Sequence, residues 1–252
     1  MAENDKALIR LRDVPLALSL LSRLPVPVHR FDRSARAVWA YPLAGLMLGG
    51  LAALGGLLAL AIGFPTPISA ILGLAIPIVL SGAMHEDGLA DTADGLWGGW
   101  TRERRLAIMK DSHIGSYGVI ALILILSARG LALWLLYEIS PAAATTALLA
   151  AAMLSRAMMP VIMAALPHAR DIGLSRAQGR PPFAAVALGL GGATAVTLCL
   201  LGGATLAALV CAGLATLVIG LIARAKIGGQ TGDILGATQQ VAEIAVLLSL
   251  LT

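Results

Sequence analysis

The chain has 252 residues, of which 58% are hydrophobic and only 13% are charged, and its mean hydropathy is +0.88. Soluble domains are roughly 45–50% apolar and about 25% charged, so this composition excludes an ordinary soluble domain and a disordered chain. With a net charge of only +4, the positions of the charges matter more than their sum, and we expect no nucleic-acid partner. Cys199 and Cys211 lie in apolar runs, which predicts neither a disulfide framework nor a thiolate metal site.

The N-terminal segment lacks the pattern of a secretory signal. Its apolar stretch, Val14–Leu21, is short and is followed by Ser-Arg-Leu-Pro instead of a small-residue cleavage site. We interpret Val14–Leu24 as a short helix lying in the membrane interface. A soluble N-terminal turn is the alternative.

Seven apolar stretches approach or exceed the roughly 20 residues that a helix needs to cross a bilayer. No stretch shows the two-residue alternation of a strand. The predicted spans are Val38–Ile62, Ile68–Met84, Ile114–Leu136, Ala142–Leu166, Phe183–Leu201, Ala204–Ala223 and Ile234–Leu251. The expected fold is an all-α, polytopic integral membrane helical bundle of about seven transmembrane helices plus the interfacial helix. We expect one membrane-embedded domain over residues 1–252, in contact with membrane lipid. The sequence leaves open whether the chain forms a homo-oligomer.

The basic residues predict how this bundle is oriented. Sixteen of the 18 Lys and Arg residues fall on the N-terminal side of the seven-span arrangement, and loops 63–67, 137–141 and 202–203 contain none. The sixteen are Lys6, Arg10, Arg12, Arg23, Arg30, Arg33, Arg36, Arg102, Arg104, Arg105, Lys110, Arg170, Arg176, Arg180, Arg224 and Lys226. Because cytoplasmic loops are enriched in Lys and Arg, the predicted location is the cytoplasmic (inner) membrane, with the N-terminus facing the cytoplasm.

The two remaining arginines lie inside predicted spans, where a charge needs a partner. Arg156 and Glu243 lie at similar depths from the cytoplasmic face, so we expect a structural ion pair between them. The sequence offers no obvious partner for Arg129.

The cytoplasmic end of the second predicted span is strongly acidic. Residues 86–94 read Glu-Asp-Gly-Leu-Ala-Asp-Thr-Ala-Asp. On a helix of about 3.6 residues per turn, Asp87, Asp91 and Asp94 share one face, and Glu86 points about a quarter-turn away. Like charges at this spacing repel, and Mg²⁺ binds carboxylate and phosphate oxygens, so these three aspartates are predicted to bind Mg²⁺. The alternative is an acidic loop that only ends the helix.

Basic residues follow this acidic segment at Arg102, Arg105 and Lys110. Arginine and lysine suit the oxygens of a polyphosphate, and Asp111 could add a carboxylate from a second helix. The enrichment of cytoplasmic loops in Lys and Arg explains the arginines equally well.

A Gly-rich segment, 224–236, precedes the last predicted span. It contains Arg224, Thr231 and Asp233, and the backbone amides of such a loop can hold an anion. A plain flexible loop is an equally good interpretation, and Asp233 would then be a helix cap.

Three segments resemble the signature segments of the cobalamin synthase family, also called adenosylcobinamide-GDP ribazoletransferase. They are Asp87–Gly95, Ile108–Gly118 and Gly228–Ala237. Ser22–Pro27 and Tyr41–Gly45 resemble the family's N-terminal segments, so the resemblance covers nearly the whole chain in order.

The resemblance implies an Mg²⁺-dependent membrane transferase of vitamin B12 biosynthesis. The enzyme would join adenosylcobinamide-GDP to α-ribazole, or to its 5′-phosphate, and release GMP. Mg²⁺ on Asp87, Asp91 and Asp94 would bridge the diphosphate, and Asp111 would accept the proton of the attacking hydroxyl. Lys110 and the nearby arginines would hold phosphate oxygens, and the active site would face the cytoplasm.

Two other functions stay open at this point. Asp91-x2-Asp94-Gly95 matches part of the motif of CDP-alcohol phosphatidyltransferases, but Gly98-Gly99 replaces its Ala-Arg and the paired downstream aspartates are absent. A cation-coupled secondary transporter would use Asp87 and Asp91 to bind its ions. Inverted repeats would favour the transporter, and none is evident.

Overall fold

The computed structural model describes residues 7–28 and 30–252, so Lys6 lies outside the described residues. The described chain is helical and has no strand, which confirms the predicted all-α class. Its helices are α1 (Asp13–Leu21), α2 (Tyr41–Ala61), α3 (Thr66–Ser81), α4 (Met84–Gly98), α5 (Arg102–Ile108), α6 (Ser116–Ile139), α7 (Pro141–Ala165), α8 (Leu174–Gln178), α9 (Phe183–Leu201), α10 (Ala204–Ile227) and α11 (Gly232–Ser249). A short 3₁₀ helix, Ala37–Ala40, leads into α2.

Five helices in the described part of the chain are long and apolar enough to cross a membrane. They are α2 with its preceding 3₁₀ turn, α6, α7, α9 and α10. α3 and α4 are long and apolar enough to cross a membrane only when they are taken together, and the chain bends by 87° between them. The protein is therefore a helical membrane protein with five candidate spans, or six if the bent pair is one. The predicted count of seven is not confirmed.

The predicted second span divides at Gly82 and Ala83. Both residues have positive φ, 67° and 57°, a left-handed conformation that residues other than glycine rarely adopt. α3 is 16 residues long, shorter than the roughly 20 that a span needs. Because of the bend, the acidic segment forms a separate helix, α4, which packs on α11 and α6.

The predicted seventh span corresponds to α11, which carries several polar side chains and is not apolar enough to be a candidate membrane span. Thr238, Gln239, Gln240 and Glu243 are all buried. α11 packs against α4, α7 and α10, so protein rather than lipid surrounds these groups. Polar groups inside a bilayer need internal partners, and this enclosure supplies them.

The central helix of the bundle is α7, which packs against α2 through small residues. A Cβ on Gly49 would lie 3.0 Å from the Ala152 Cβ, and one on Gly45 would overlap the Ala152 carbonyl. Glycines four residues apart let two helices approach closely, and such packing is a main source of helix association in lipid.

The N-terminal helix predicted at Val14–Leu24 is present as α1. Leu16, Ala17 and Leu21 are buried against the rest of the bundle. At its start, Asp13 accepts hydrogen bonds from Arg33 Nε at 2.8 Å and from Trp39 Nε1 at 2.8 Å. The position of α1 in the membrane interface stays a prediction.

The charges within the bundle form one buried network. Arg156 Nη1 lies 3.8 Å from Glu243 Oε2, which confirms the predicted pair. Arg129 also has partners, contrary to expectation: it binds Glu243, donates to Gln240 Oε1 at 2.6 Å and lies 3.5 Å from Glu86 Oε1. Two arginines and two glutamates balance in charge, as burial requires.

Candidate active site

A close helix crossing brings acidic residues of α4 and α11 together. A Cβ on Gly88 would lie 3.0 Å from the Asp233 carbonyl oxygen and 3.2 Å from the Gly236 Cα. Glycine at positions 88 and 236 therefore allows the two backbones to touch. Since Gly88 lies next to Asp87 on α4, the crossing places Asp233 beside the acidic face.

Asp87 and Asp91 are two acidic residues of α4 whose carboxylates repel each other. Asp87 is exposed and Asp91 is half-buried. Neither carboxylate accepts a hydrogen bond from residues 7–28 or 30–252. Asp91 is repelled by Asp87, by Asp233 and more weakly by Asp94, and Arg170 offsets only part of this repulsion.

The third aspartate of the predicted metal face, Asp94, has a different environment. Its carboxylate is buried and accepts hydrogen bonds from the backbone N–H of Gly115 at 2.7 Å and of Gly118 at 2.9 Å. These amides belong to the first turn of α6, where helix N–H groups have no partner within the helix. Asp94 thus caps α6 with both of its oxygens.

Thr231 and Asp233, both predicted to bind substrate, lie at the site. Thr231 Oγ1 accepts a hydrogen bond from Ile234 N at 3.3 Å and donates one to Asp233 Oδ2 at 3.1 Å. Arg170 Nη1 lies 3.2 Å from the same Asp233 oxygen. Burial raises the pKa of Asp233, and Arg170 opposes that shift.

Arg170 also lies at the site, although the sequence did not predict it there. Gln230 N donates to Pro167 O at 2.8 Å, and Ala169 N donates to Gln230 O at 2.9 Å. This pairing of two loops brings Arg170 to Asp233. Nothing in the sequence around Arg170 distinguishes it from the other loop arginines, because the two loops are about 60 residues apart in the chain.

Arg102 and Arg105 bind backbone carbonyls in this structure. Arg102 donates to Ile227 O at 2.9 Å and to Ala169 O at 2.8 Å. Arg105 Nη1 donates to Lys226 O at 2.9 Å. Basic side chains often satisfy the last carbonyls of a helix, and here they fasten α5 to the end of α10. The role of the two arginines in phosphate binding stays a prediction.

The other predicted site residues lie apart from this cluster. Lys110 and Asp111 are exposed on the loop before α6, and His113 Nδ1, 2.7 Å from Asp111 Oδ1, lowers the pKa of that carboxyl. Arg224 is exposed on α10 and lines a separate apolar cavity of ≈ 590 Å³ between α7, α9 and α10.

A cavity of ≈ 190 Å³ opens beside the carboxylates and has Asp87, Asp233 and Arg170 among its lining residues. In the described residues, no group of three or more His, Cys, Asp or Glu side chains is arranged to hold a metal ion by itself. Mg²⁺ usually keeps several waters and binds one or two carboxylates plus substrate phosphates. The free carboxylates of Asp87 and Asp91 fit a site of that kind, which the substrate would complete.

Comparisons with known proteins agree along nearly the whole chain. The family described as cobalamin-5-phosphate synthase matches residues 13–251. A relative from Bradyrhizobium diazoefficiens is 45% identical over 240 residues, which is 94% of this chain and 92% of the relative. A relative from Azorhizobium caulinodans is 45% identical over 96% of each chain, and one from Sinorhizobium medicae is 46% identical over 93% of this chain and 94% of its own.

All three relatives bear the name adenosylcobinamide-GDP ribazoletransferase. No solved structure matches the chain. A family match that extends from α1 to the end of α11, with the acidic helix and the Gly-rich loop both inside it, leaves one conclusion. The chain belongs to the cobalamin-5-phosphate synthase family.

Proposed function

We propose that this protein is an adenosylcobinamide-GDP ribazoletransferase. It joins adenosylcobinamide-GDP to α-ribazole, or to its 5′-phosphate, gives adenosylcobalamin or its phosphate, and releases GMP late in vitamin B12 biosynthesis. The observation that carries the proposal is 45% identity to a relative of that name over 94% of the chain. The same name favours this function over phosphatidyl transfer and over cation-coupled transport.

The proposed reaction is a displacement at phosphorus. The 3′-hydroxyl oxygen of ribazole forms a bond to the phosphorus on the cobinamide side of the diphosphate. The bond from that phosphorus to the GMP oxygen breaks, and GMP leaves with the electron pair. The hydroxyl proton passes to a carboxylate of the protein. Such transfers depend mainly on positioning and on electrostatic stabilisation.

The residues around the cavity supply these functions in the proposal. Asp87 and Asp91 would hold Mg²⁺, which when bound neutralises charge on the diphosphate. Asp233 Oδ2 is engaged by Arg170 and Thr231, whereas its Oδ1 has no hydrogen-bond partner in the described residues. We propose that Oδ1 accepts the hydroxyl proton. Asp111, which is exposed and pairs with His113, is the alternative acceptor.

The purified protein in detergent or lipid nanodiscs tests the function directly. We expect GMP to form only when adenosylcobinamide-GDP, α-ribazole and Mg²⁺ are all present, and EDTA to stop its formation. Chromatography of the nucleotide and corrinoid products measures both. GMP release that does not need ribazole would indicate a hydrolase instead, and CMP release from a CDP-activated lipid would indicate a phosphatidyltransferase.

We further propose that the loop before α6 faces the cytoplasm. Ser112 is exposed, so Ser112→Cys is a suitable probe once Cys199 and Cys211 are replaced by alanine. In sealed cells an impermeant maleimide should fail to label this cysteine and should label Phe64→Cys, on an exposed residue between α2 and α3. Labelling of Ser112→Cys from outside would reverse the proposed orientation.

A further inference from the structure

We infer that the cavity beside Asp87 and Asp233 binds the aromatic base of the ribazole acceptor. This inference rests on the proposed function and adds the place where one of the two substrates binds. Four properties of the cavity carry it: its size, its apolar wall, the buried His85 nitrogen without a partner, and the position of the carboxylates.

The size of the cavity suits a small ring system. An apolar cavity of about 150 Å³ in another protein takes up benzene. The cavity here is ≈ 190 Å³, so it has room for a substituted bicyclic ring. A corrin macrocycle or a complete guanosine diphosphate group is far larger than this. The base of ribazole, a dimethylbenzimidazole, is the part of the substrates that matches the volume.

The wall of the cavity favours that base over guanine. Its apolar lining includes Leu20 and Leu21 from α1, Met84 from α4, and Met159 and Met163 from α7. Methionine sulfur makes favourable contacts with aromatic rings, and hydrocarbon contacts suit two ring methyl groups. The polar lining residues His168, Ser175 and Gln230 hydrogen-bond one another. Guanine carries several donors and acceptors, and burying them against the apolar part of the wall, which offers no partners, would be unfavourable.

Two buried nitrogens of the lining residues lack a hydrogen-bond partner in the described residues, Arg170 Nε and His85 Nε2, and the second lies among the apolar residues of the wall. His85 lines the cavity and is only 1% exposed, and its Nε2 has no hydrogen-bond partner in the described part of the chain. Buried polar side chains are nearly always hydrogen-bonded. Dimethylbenzimidazole attached to ribose keeps one free ring nitrogen, which accepts a single hydrogen bond. The His85 ring lies in the cavity wall, and in the proposed complex it turns so that Nε2–H donates that bond.

The polar edge of the same cavity suits the ribose and the 5′-phosphate of the acceptor. Asp87 and Asp233 line it, so a base held against the methionines leaves its ribose next to the carboxylates that take part in the proposed reaction. Arg176 is exposed and also lines the cavity, which suits the 5′-phosphate of ribazole phosphate. The cavity therefore encloses the base, and its polar edge directs the sugar and the phosphate of the acceptor, which extend out of it.

Two adjacent methionines provide a matched test. Met159 lines this cavity and is 5% exposed, whereas Met158 is 4% exposed and lines the separate apolar cavity between α7, α9 and α10. Met159→Ala should raise the KM for α-ribazole roughly tenfold, because one buried apolar contact with the base is lost. The KM for adenosylcobinamide-GDP should stay unchanged. Met158→Ala should leave both KM values unchanged.

A second substrate distinguishes direct contact from a general loosening of α7. Met159→Ala enlarges the cavity. The substrate preference of this variant should therefore shift toward a riboside with a bulkier base, such as naphthimidazole riboside. The ratio of kcat/KM for the bulky and the natural riboside should rise at least about tenfold. In Met158→Ala that ratio should not change. If Met159→Ala does not fold, Met84→Ala makes the same measurement at the start of α4.

The outcomes separate the inference from the proposed function. Active enzyme in which Met159→Ala and Met158→Ala behave alike, or in which only the corrinoid KM changes, overturns the cavity assignment and leaves the transferase intact. If the wild-type protein releases no GMP in response to ribazole, both the cavity assignment and the proposed function are overturned.

Discussion

Asp87→Asn and Asp91→Asn are each expected to lower kcat for GMP release at least about 100-fold, the usual cost of removing one preorganised electrostatic group. The melting temperature should stay the same or rise. Neither carboxylate has a hydrogen-bond partner in the described residues, and removing one charge relieves the repulsion that Asp91 receives from Asp87 and Asp233. Activity and melting temperature are measured on the same purified proteins, at limiting Mg²⁺.

Two further aspartates serve as comparisons for that result. Asp94 caps α6, so Asp94→Asn should cost about 0.5–2 kcal/mol of stability in addition to any loss of activity. Asp32 is exposed and lies 3.4 Å from Arg12, so Asp32→Asn makes the same chemical change away from the site and should change neither quantity. Near-normal turnover in both Asp87→Asn and Asp91→Asn would remove these residues from the proposed metal site.

Replacing Arg129 by methionine should destabilise the protein by about 3–5 kcal/mol, because it leaves buried glutamates without enough positive charge. Arg129 binds Glu243 and lies 3.5 Å from Glu86, and all three side chains are less than a tenth exposed. After the change, two glutamates face only Arg156. We expect a much lower melting temperature in detergent.

The matching double variant tests whether charge balance is the cause. In Arg129→Met/Glu243→Leu one arginine and one glutamate remain, so the network is neutral again. The double variant should therefore be more stable than the sum of the two single effects implies, a coupling of up to about 3 kcal/mol. Glu103→Gln, at an exposed position of α5 whose carboxylate has no hydrogen-bond partner in the described residues, should leave the melting temperature unchanged. Additive losses in the double variant would mean that the two residues stabilise the bundle independently.

The sequence by itself determined the properties that depend on local composition. Long apolar runs predicted α2, α6, α7, α9 and α10 within a few residues of their observed ends, because hydropathy along a single helix decides whether lipid can surround it. The spacing of Asp87, Asp91 and Asp94 matches the repeat of an α-helix, so local periodicity predicted that the three residues lie on one helix. The resemblance of three segments to a family rested on local motifs, and the family match over residues 13–251 confirms it.

Only the tertiary structure decided which groups face each other. The bend at Gly82 and Ala83 separated the acidic helix from the predicted second span. Enclosure of α11 by its neighbours made buried glutamines and a glutamate tolerable in a segment that had been predicted to cross the membrane. The partners of Arg129 and the approach of Arg170 to Asp233 each join residues 40 or more positions apart. Such contacts depend on how helices cross and which loops pair, and neither is encoded in the periodicity of any one segment.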